Sequence, residues 1–347
     1  MRLASATRGR SLPPHSPRET RHFFEALWEF CRPHTIKGTL MGVASISVVS
    51  LGVAGLCTLT TEDAKGIAYL LSSALLMNVA VVGINQVYDV DIDRVNKPYL
   101  PLAAGDFSVR MGAALSVGSA LASLALGFAS GSRPLMWTLS AAAVLGAAYS
   151  VEAPLLRWKR HPATAAAAIA IVRALLVQLG FFAHVTQTRH LALGSRSELR
   201  RPGQSLLSLL AAAPPSAQQT IGFATLFMIL FTAAIAMFKD LPDARGDAQA
   251  GMKTLTVRIG PTRVLWLCTA LLTSACGGGM MLAFTLPEAA LWRRLVVGVS
   301  HASLGGLLLQ KASRTDVHCE QSLTDTYMSI WKLFYAEYAL LPLVRGA

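Results

Sequence analysis

The sequence has few charged residues: only 14% of its 347 residues are Asp, Glu, Lys or Arg, against about 25% in a typical soluble domain. Hydrophobic residues make up 53%, and apolar segments recur at roughly the 20-residue length that crosses a bilayer about 30 Å thick. Most of these segments have no polar face of the kind that a soluble helix turns towards water. These features exclude a soluble all-α enzyme and predict an all-α membrane protein.

Cysteine and acidic residues are also scarce. The five cysteines are an odd number, and no two of them have CxxC spacing, which argues against a disulfide framework and a zinc site. Lys and Arg outnumber Asp and Glu by 31 to 19, which gives a net charge of +12. Because the basic residues stand between apolar segments, as in membrane loops, they indicate contact with membrane lipid and no nucleic acid partner.

Nine segments are predicted to be transmembrane helices. They are residues 36–57, 67–92, 111–130, 135–151, 164–187, 217–239, 263–285, 291–310 and 326–343. Residues 31–347 therefore form one intramembrane domain, which residues 188–216 interrupt as a flexible polar insert. Residues 1–30 combine an amphipathic surface helix with a basic segment that has no acidic residue before Glu19. That composition is typical of a transit peptide or of a disordered basic tail.

The order of the nine spans determines which loops share a side of the membrane, because each span takes the chain across. The N-terminal segment and the loops after the second, fourth, sixth and eighth helices face one side, and they hold most of the lysine and arginine residues. The basic side faces the compartment from which a membrane protein was inserted. The second and sixth helices both end on this side, so polar residues at their ends can meet.

Three oxygen-bearing side chains with four-residue spacing follow an apolar run: Asn85, Asp89 and Asp93. At about 100° per residue they lie on one face of a helix, whereas Asp91 points elsewhere. Such oxygens are ligands for a hard cation such as Mg²⁺. The alternative for one cluster alone is a solvated helix end.

A second acidic cluster, Asp240, Asp243 and Asp247, follows the apolar run 221–238, and Pro242 predicts that the helix breaks there. Two clusters at one membrane face favour Mg²⁺ that bridges a diphosphate, since Mg²⁺ usually binds a few carboxylates together with substrate phosphates. Six basic residues are candidates for binding the diphosphate; the alternative for each is a topogenic or lipid-facing charge. They are Arg94, Lys97, Arg157, Lys159, Lys239 and Arg258.

The two acidic motifs resemble those of the UbiA superfamily of intramembrane aromatic prenyltransferases, and the resemblance covers residues 30–344. Within it the chain is similar to the plant and cyanobacterial homogentisate prenyltransferases. The supporting stretches are Arg32-Pro33-His34-Thr35 and residues 85–108, 238–247 and 254–260. Residues 173–188 and 330–342 favour the homogentisate phytyltransferase branch of tocopherol biosynthesis. The alternative is the homogentisate solanesyltransferase branch of plastoquinone biosynthesis. The insert at 188–216 is longer than this branch leads us to expect.

The resemblance implies a UbiA-type bundle of about nine transmembrane helices with a central cavity open to one face. It implies two Mg²⁺ ions, a phytyl or geranylgeranyl diphosphate as donor and homogentisate as acceptor. The C–O bond of the donor ionises, the acceptor ring attacks the allylic cation, and the carboxymethyl group loses CO₂. A dry cavity protects the cation from water. The resemblance further implies a plastid (chloroplast) membrane with the acidic face towards the stroma.

Four residues are candidates for contact with the acceptor or the allylic cation: Arg32, Tyr149, Arg173 and Gln178. Tyr149 suits cation–π stabilisation, or is a packed interfacial tyrosine. Arg32, or Arg173 with Gln178, suits the acceptor carboxylate, although a spacing of five does not place the latter two squarely on one α-helical face. The alternative for Arg173 is a structural pair with an acidic residue inside the protein.

Three further polar residues within the spans, His184, Lys332 and Glu337, are interpreted as caps or interhelical contacts. The rival function is an ion-coupled membrane transporter, whose sites favour the bilayer midplane and broken helices. Here the acidic clusters lie at helix ends beside basic loops, which favours the enzyme. A metal-binding scaffold without turnover is a third alternative.

Overall fold

A computed structural model describes residues 22–193, 206–242, 254–285 and 290–345. Every regular element in these residues is helical, and they contain no strand. A π-helical segment, Ile171–Gly180, joins α7 to α8, and a 3₁₀ turn, Trp158–Arg160, precedes α7. The helices in chain order are α1 (Phe23–Phe30), α2 (Pro33–Cys57), α3 (Thr61–Asn96), α4 (Pro101–Ala104), α5 (Val109–Ala129), α6 (Arg133–Ser150), α7 (Pro162–Ala170), α8 (Phe181–Ala192), α9 (Leu206–Ala211), α10 (Pro215–Phe238), α11 (Leu255–Ile259), α12 (Pro261–Thr285), α13 (Leu291–Ser313) and α14 (Glu320–Arg345).

Seven of the described helices are long and apolar enough to cross a membrane. They are α2, α3, α5, the continuous helix formed by α7, the π segment and α8, and then α10, α12 and α13. All nine predicted spans are helical, but α6 and α14 are outside these seven. The predicted all-α membrane class is therefore confirmed, whereas the count of nine spans is not.

Helical structure reaches into both ends of the predicted polar insert. The helix that contains the π segment ends at Ala192, and α9 begins at Leu206; residues 194–205 lie outside the described part of the chain. The predicted surface helix corresponds to α1, which exposes Phe24 and buries Phe30. Residues 1–21 are also outside the described part. The domain limits therefore stay a prediction.

The first acidic cluster lies near the end of α3, which is 36 residues long. The helix begins with a capping box. The Asp63 N–H donates to the Thr60 hydroxyl oxygen (3.1 Å), and the Thr60 N–H donates to the Asp63 carboxylate (2.9 Å). Because about 20 residues suffice to cross a bilayer, so long a helix extends beyond the apolar span. Its last turns thus carry Asp89 and Asp93 to the edge of the membrane.

Small residues bring the helices close together around the centre of the bundle. A methyl group on Gly180 would overlap Thr138 of α6, and one on Gly146 would overlap Val81 of α3. Such small residues permit close packing of membrane helices. Helix α10 fills the middle with large buried side chains such as Phe231. The closely packed helices thereby surround a cavity.

Two arginines connect helix ends far from the acidic cluster. Arg189 donates to the carboxylate of Asp63 at the start of α3 (2.7 Å). Arg345 donates through Nε to the carbonyl oxygen of Val49 (3.1 Å). That carbonyl lies just before Gly52, where α2 is interrupted by a residue with φ of +67°. Arg345 therefore satisfies a backbone oxygen at the break.

Two of the three polar residues interpreted as interhelical contacts are confirmed in that role. The ring Nε2 of His184 lies 3.0 Å from the carbonyl oxygen of Gly66 on α3. The Oε2 of Glu337 on α14 lies 3.2 Å from the Nε2 of His301 on α13, and both side chains are fully buried. The interpretation is wrong for Lys332, which is exposed on the outer face of α14.

Candidate active site

A cavity of about 360 Å³ lies between α2, α3, α6, the π segment, α10 and α14. Most of its wall is apolar, with residues such as Leu139, Val172 and Ile235. The polar and aromatic residues of the wall include candidates from the sequence and others that the sequence did not single out. They are Arg32, His34, Thr35, Thr39, Asn78, Asn85, Thr138, Tyr149, Ser150, Arg173, Phe181, Lys239, Tyr327, Trp331, Phe334 and Tyr338.

The face of α3 that was predicted to bind metal continues from the cavity wall. Asn85 lines the cavity, and its Nδ2 donates to the Ser150 hydroxyl at 3.5 Å. Asp89 and Asp93 follow at one and two helical turns, with their side chains largely buried. By contrast, the side chain of Asp91 is 92% exposed and pairs with Arg94 at 2.8 Å. Asp91 thus points away from Asp89 and Asp93, as its position on the helix predicts, whereas the metal-binding role of the buried face stays a prediction.

The loop between α6 and α7 places two of the predicted cations on Asp89. The Nζ of Lys159 lies 2.5 Å from one carboxylate oxygen, and an Nη of Arg157 lies 3.6 Å from the other. Arg157 also holds Glu152 at 2.7 Å within the same loop. Burial lowers the pKa of the Lys159 ammonium, and the Asp89 carboxylate opposes that shift. The ion pair thus keeps a positive charge beside the acidic cluster.

Two carboxylate oxygens of the cluster suit a cation. The Oδ1 of Asp89 and the Oδ2 of Asp93 are buried and accept no hydrogen bond from the described residues. Buried polar atoms normally have such a partner, and carboxylate oxygens are what Mg²⁺ binds. Among the described residues, no three His, Cys, Asp or Glu side chains lie close enough together to hold a metal ion by themselves. Mg²⁺ usually completes its coordination with substrate phosphates, so these two carboxylates would hold it together with a diphosphate.

The second acidic cluster is only partly within the described residues. Asp240 directly follows α10, and its Oδ1 lies 3.8 Å from the Nζ of Lys239. Lys239 lines the cavity within electrostatic reach of Tyr149. Asp243 and Asp247 lie outside the described residues. The roles predicted for them therefore stay predictions.

The other predicted cations occupy different surroundings. Lys97 lies at the end of α3, within electrostatic reach of Asp93. Arg94 faces solvent with Asp91, and Arg258 is exposed on α11. Arg32 lines the cavity in the left-handed backbone region (φ 53°), and its buried Nε has no hydrogen-bond partner among the described residues. The structure thus brings Lys159, Arg157, Lys97, Lys239 and Arg32 towards the site, but not Arg94.

The π segment changes the predicted relation between Arg173 and Gln178. In a π-helix the hydrogen bonds run from i to i+5, and the wider turn brings residues five apart much closer in direction than in an α-helix. Gln178 is fully buried and donates to the hydroxyl of Tyr338 (2.7 Å) and to the carbonyl of Arg173 (3.1 Å). The described residues of the cavity wall nevertheless include Arg173 but not Gln178. The structure therefore does not bring Gln178 to the site.

Arg173 lies among aromatic rings. Its guanidinium carbon is 4.8 Å from the ring centre of Trp331 and 5.4 Å from that of Phe334. Within the described residues it forms no ion pair with a carboxylate, so the structural alternative of an acidic partner is not supported. A cation on the cavity wall without an acidic partner there is suited to an anionic ligand.

Sequence reasoning missed several residues of the cavity wall, including His34 and Asn78. His34 stands in one of the stretches that carried the resemblance, and Asn78 hydrogen-bonds to the Thr35 hydroxyl at 3.0 Å. Asn78 precedes Asn85 by two helical turns, so the helical spacing places both on one face. That spacing was a usable signal for Asn78. His34 had no comparable local signal, because its neighbours in the fold are distant in sequence.

Comparisons with known proteins agree with this geometry. The profile of the UbiA prenyltransferase family matches residues 45–333. The chain is 45% identical over 323 residues to a homogentisate geranylgeranyltransferase of Triticum aestivum, covering 92% of this chain and 72% of the relative. It is 39% identical over 325 residues to homogentisate phytyltransferase 1 (chloroplastic) of Arabidopsis thaliana, covering 94% and 76%. A solved UbiA homologue from Archaeoglobus fulgidus, bound to GPP and Mg²⁺, shares the fold with a TM-score of 0.54 at 18% identity, over 91% of this chain and 99% of that one.

Proposed function

Because the chain belongs to the UbiA prenyltransferase family, as its motifs predict, we propose that it transfers a phytyl or geranylgeranyl group from the diphosphate to the ring of homogentisate, with loss of CO₂. One observation carries the proposal. The carboxylates of Asp89 and Asp93 keep buried oxygens without hydrogen bonds beside Lys159, one helical turn from an apolar cavity. The homogentisate prenyltransferases among its relatives support the choice of acceptor.

The acidic cluster and the neighbouring cations suit a diphosphate donor. Mg²⁺ supplies positive charge that stabilises the leaving diphosphate. Asn85, Asp89 and Asp93 would hold one ion, and Asp240 with Asp243 and Asp247 would hold a second. Lys159 and Arg157 neutralise phosphate oxygens from the other side, where they already contact Asp89. The solved homologue bound to GPP and Mg²⁺ supports a metal-dependent donor site.

The apolar wall suits the prenyl chain and the allylic cation. The apolar surface excludes water, which would otherwise react with the cation. The face of Tyr149, near Lys239 and Asn85, is placed for cation–π stabilisation once the diphosphate has left. We assign to Arg173 the acceptor carboxylate, with Gln178 and Tyr338 holding the arginine backbone and the neighbouring ring in place.

Arg173→Met should raise the KM for homogentisate by about 10–100-fold, the cost of one hydrogen bond to a charged group. The KM for the prenyl diphosphate should change little. The methyl ester of homogentisate, which lacks the carboxylate charge, should bind equally poorly to both proteins. Steady-state kinetics in membranes with the two acceptors measure all three effects.

Lys332→Met is the matched control, since it removes an exposed cation next to Trp331 on α14 without changing the cavity wall. Its kinetics should equal those of the unmodified protein. A rise in the KM for the donor in Arg173→Met, with no effect on homogentisate, contradicts the assignment and moves Arg173 to the donor site.

Turnover in membranes tests the function itself. Membranes that contain the protein are supplied with homogentisate and with phytyl, geranylgeranyl or solanesyl diphosphate, in Mg²⁺ or in excess EDTA. We expect a decarboxylated, prenylated quinol from phytyl or geranylgeranyl diphosphate, and its loss in EDTA. The two donors differ only in saturation, a difference worth little in an apolar pocket, so both should react.

Each other outcome points to a different function. Preference for solanesyl diphosphate keeps the chemistry and places the protein in the plastoquinone branch. Absence of product from every donor, in folded protein, contradicts homogentisate as the acceptor and brings the ion-coupled transporter forward. Turnover that persists in EDTA contradicts the metal site.

We also propose that the protein resides in a plastid membrane with its acidic face towards the stroma. The chloroplastic relative and the seven apolar helices support the membrane assignment, and the basic loops beside the acidic clusters support the orientation. Protease protection of a tag inserted in the loop between α6 and α7, in intact plastids, tests the orientation.

A further inference from the structure

The cavity wall contains one side chain that is suited to accept a proton near neutral pH. Apart from His34, the titratable side chains of this wall are the cations Arg32, Arg173 and Lys239 and the phenols of tyrosine residues. The described residues that line it include no Asp, Glu or Cys. His34 is therefore the one group in the wall whose ordinary pKa lies near neutrality. The proposed reaction needs such a group, because the acceptor ring must lose a proton after it has been prenylated.

The fold holds the His34 ring beside the position assigned to the acceptor. The imidazole packs edge-on against Trp331, with 5.0 Å between ring centres. The guanidinium of Arg173 stands 4.8 Å from the same indole ring. The hydroxyl of Tyr335 donates to the carbonyl oxygen of His34 at 2.9 Å and thereby fixes the start of α2. An acceptor whose carboxylate binds Arg173 therefore has its ring next to the imidazole.

The surroundings of His34 favour its neutral form. Arg32 and Arg173 line the same cavity as the imidazole, and neighbouring positive charges oppose the addition of another. Neither ring nitrogen forms a hydrogen bond with a residue in the described parts of the chain. A neutral imidazole on the cavity wall, without a hydrogen-bond partner among the described residues, can accept a proton, and it does not repel the allylic cation.

We propose that His34 is the proton acceptor of the prenyl transfer, an inference that rests on the proposed function. The C–O bond of the donor breaks and its electron pair leaves with the diphosphate. An electron pair of the acceptor ring forms the new C–C bond. The electron pair of the C–H bond at the attacked carbon then returns to the ring, and the proton goes to a nitrogen of His34. When CO₂ leaves, the methylene carbon takes up a proton from water. The protonated His34 then gives its proton to the hydroxide that remains.

A conservative variant tests the proposal. His34→Gln retains a polar side chain of similar length but is no longer a base. With homogentisate and phytyl diphosphate in Mg²⁺, we expect kcat to fall by about 10²–10⁴-fold, the range for a positioned general base. Both KM values should stay within about threefold. Homogentisate deuterated on the ring should show a larger isotope effect in His34→Gln than in the unmodified protein, because proton removal then limits the rate.

His34→Ala tests whether the role of His34 is chemical, because added imidazole can replace a lost base but cannot repair a purely structural defect. The smaller side chain leaves space in the cavity, so added imidazole should restore part of the turnover. Imidazole should not stimulate the unmodified protein or Arg173→Met. His318→Gln is the matched control, since His318 is exposed in the loop before α14. If His34→Ala does not fold, as judged by its chromatography in detergent, the isotope effect in His34→Gln decides the question.

The outcomes separate this inference from the proposed function. If the unmodified protein does not prenylate homogentisate, the proposed function fails. If it does, and kcat of His34→Gln stays within threefold, the inference alone is overturned, and the diphosphate itself becomes the base. A lower kcat without a larger isotope effect, and without rescue of folded His34→Ala by imidazole, also overturns it.

Discussion

Asp89→Asn is expected to lower kcat for prenyl transfer by about 10²–10³-fold, the scale for losing one charge-stabilising contact in an active site. The substitution keeps the shape of the side chain but removes its charge. Asp89 is the residue on which the acidic helix face and the cationic loop converge, because Lys159 and Arg157 both contact its carboxylate. Its loss should therefore weaken the binding of Mg²⁺ and also remove the charge that Lys159 and Arg157 contact, although Arg157 keeps its ion pair with Glu152.

The same helix supplies the control. Asp91→Asn removes a carboxylate two residues away, and that side chain is 92% exposed on the opposite face. Turnover and its dependence on Mg²⁺ concentration should match those of the unmodified protein. The titration of activity with Mg²⁺ is informative, since Asp89→Asn should need a higher concentration for half its maximal rate. Equal effects of the two substitutions contradict the assignment of the site to one face of α3.

Glu337→Leu is expected to destabilise the fold by at least about 3 kcal/mol, because it leaves the fully buried His301 without its partner. The pair joins α13 to α14. The His301 ring also fills the space beside Gly279 and packs against Phe223. The change in free energy of unfolding can be measured by thermal or denaturant unfolding in detergent.

Replacement of both partners separates the pair from the packing around it. The double variant His301→Met/Glu337→Leu should lose much less stability than Glu337→Leu, since no polar group is then left buried without a partner. Met is chosen for position 301 because it adapts to irregular space. Lys332→Ala on the exposed face of α14 should leave the unfolding midpoint unchanged. A double variant as unstable as the single one contradicts the role of the pair.

Local spacing was sufficient to predict the site face of α3. On a helix, residues four apart share a face whatever the rest of the chain does. The opposite directions of Asp91 and of the pair Asp89 and Asp93 thus follow from their spacing along the helix. The two acidic motifs also predicted the family correctly, since the profile of the UbiA prenyltransferase family matches residues 45–333.

Proximity in sequence was not sufficient to choose among the cations. Arg94 is next to the acidic motif but faces solvent, whereas Lys159 reaches Asp89 from a loop that is distant in sequence. Arg94 is excluded by the side of α3 on which it lies. Lys159 reaches Asp89 only because α6 packs against α3. The relation of Arg173 to Gln178 likewise depended on a π segment, which alters the angle per residue.

The sequence by itself determined the membrane class, the helices and the acidic face of α3, since each depends on hydrophobic length or on helical periodicity within one segment. The tertiary structure decided which cations contact Asp89, that Arg173 lies over aromatic rings, and that His34 faces the cavity. These contacts join residues from helices far apart in the chain. Their geometry is set by how closely the helices pack, and no local pattern records that.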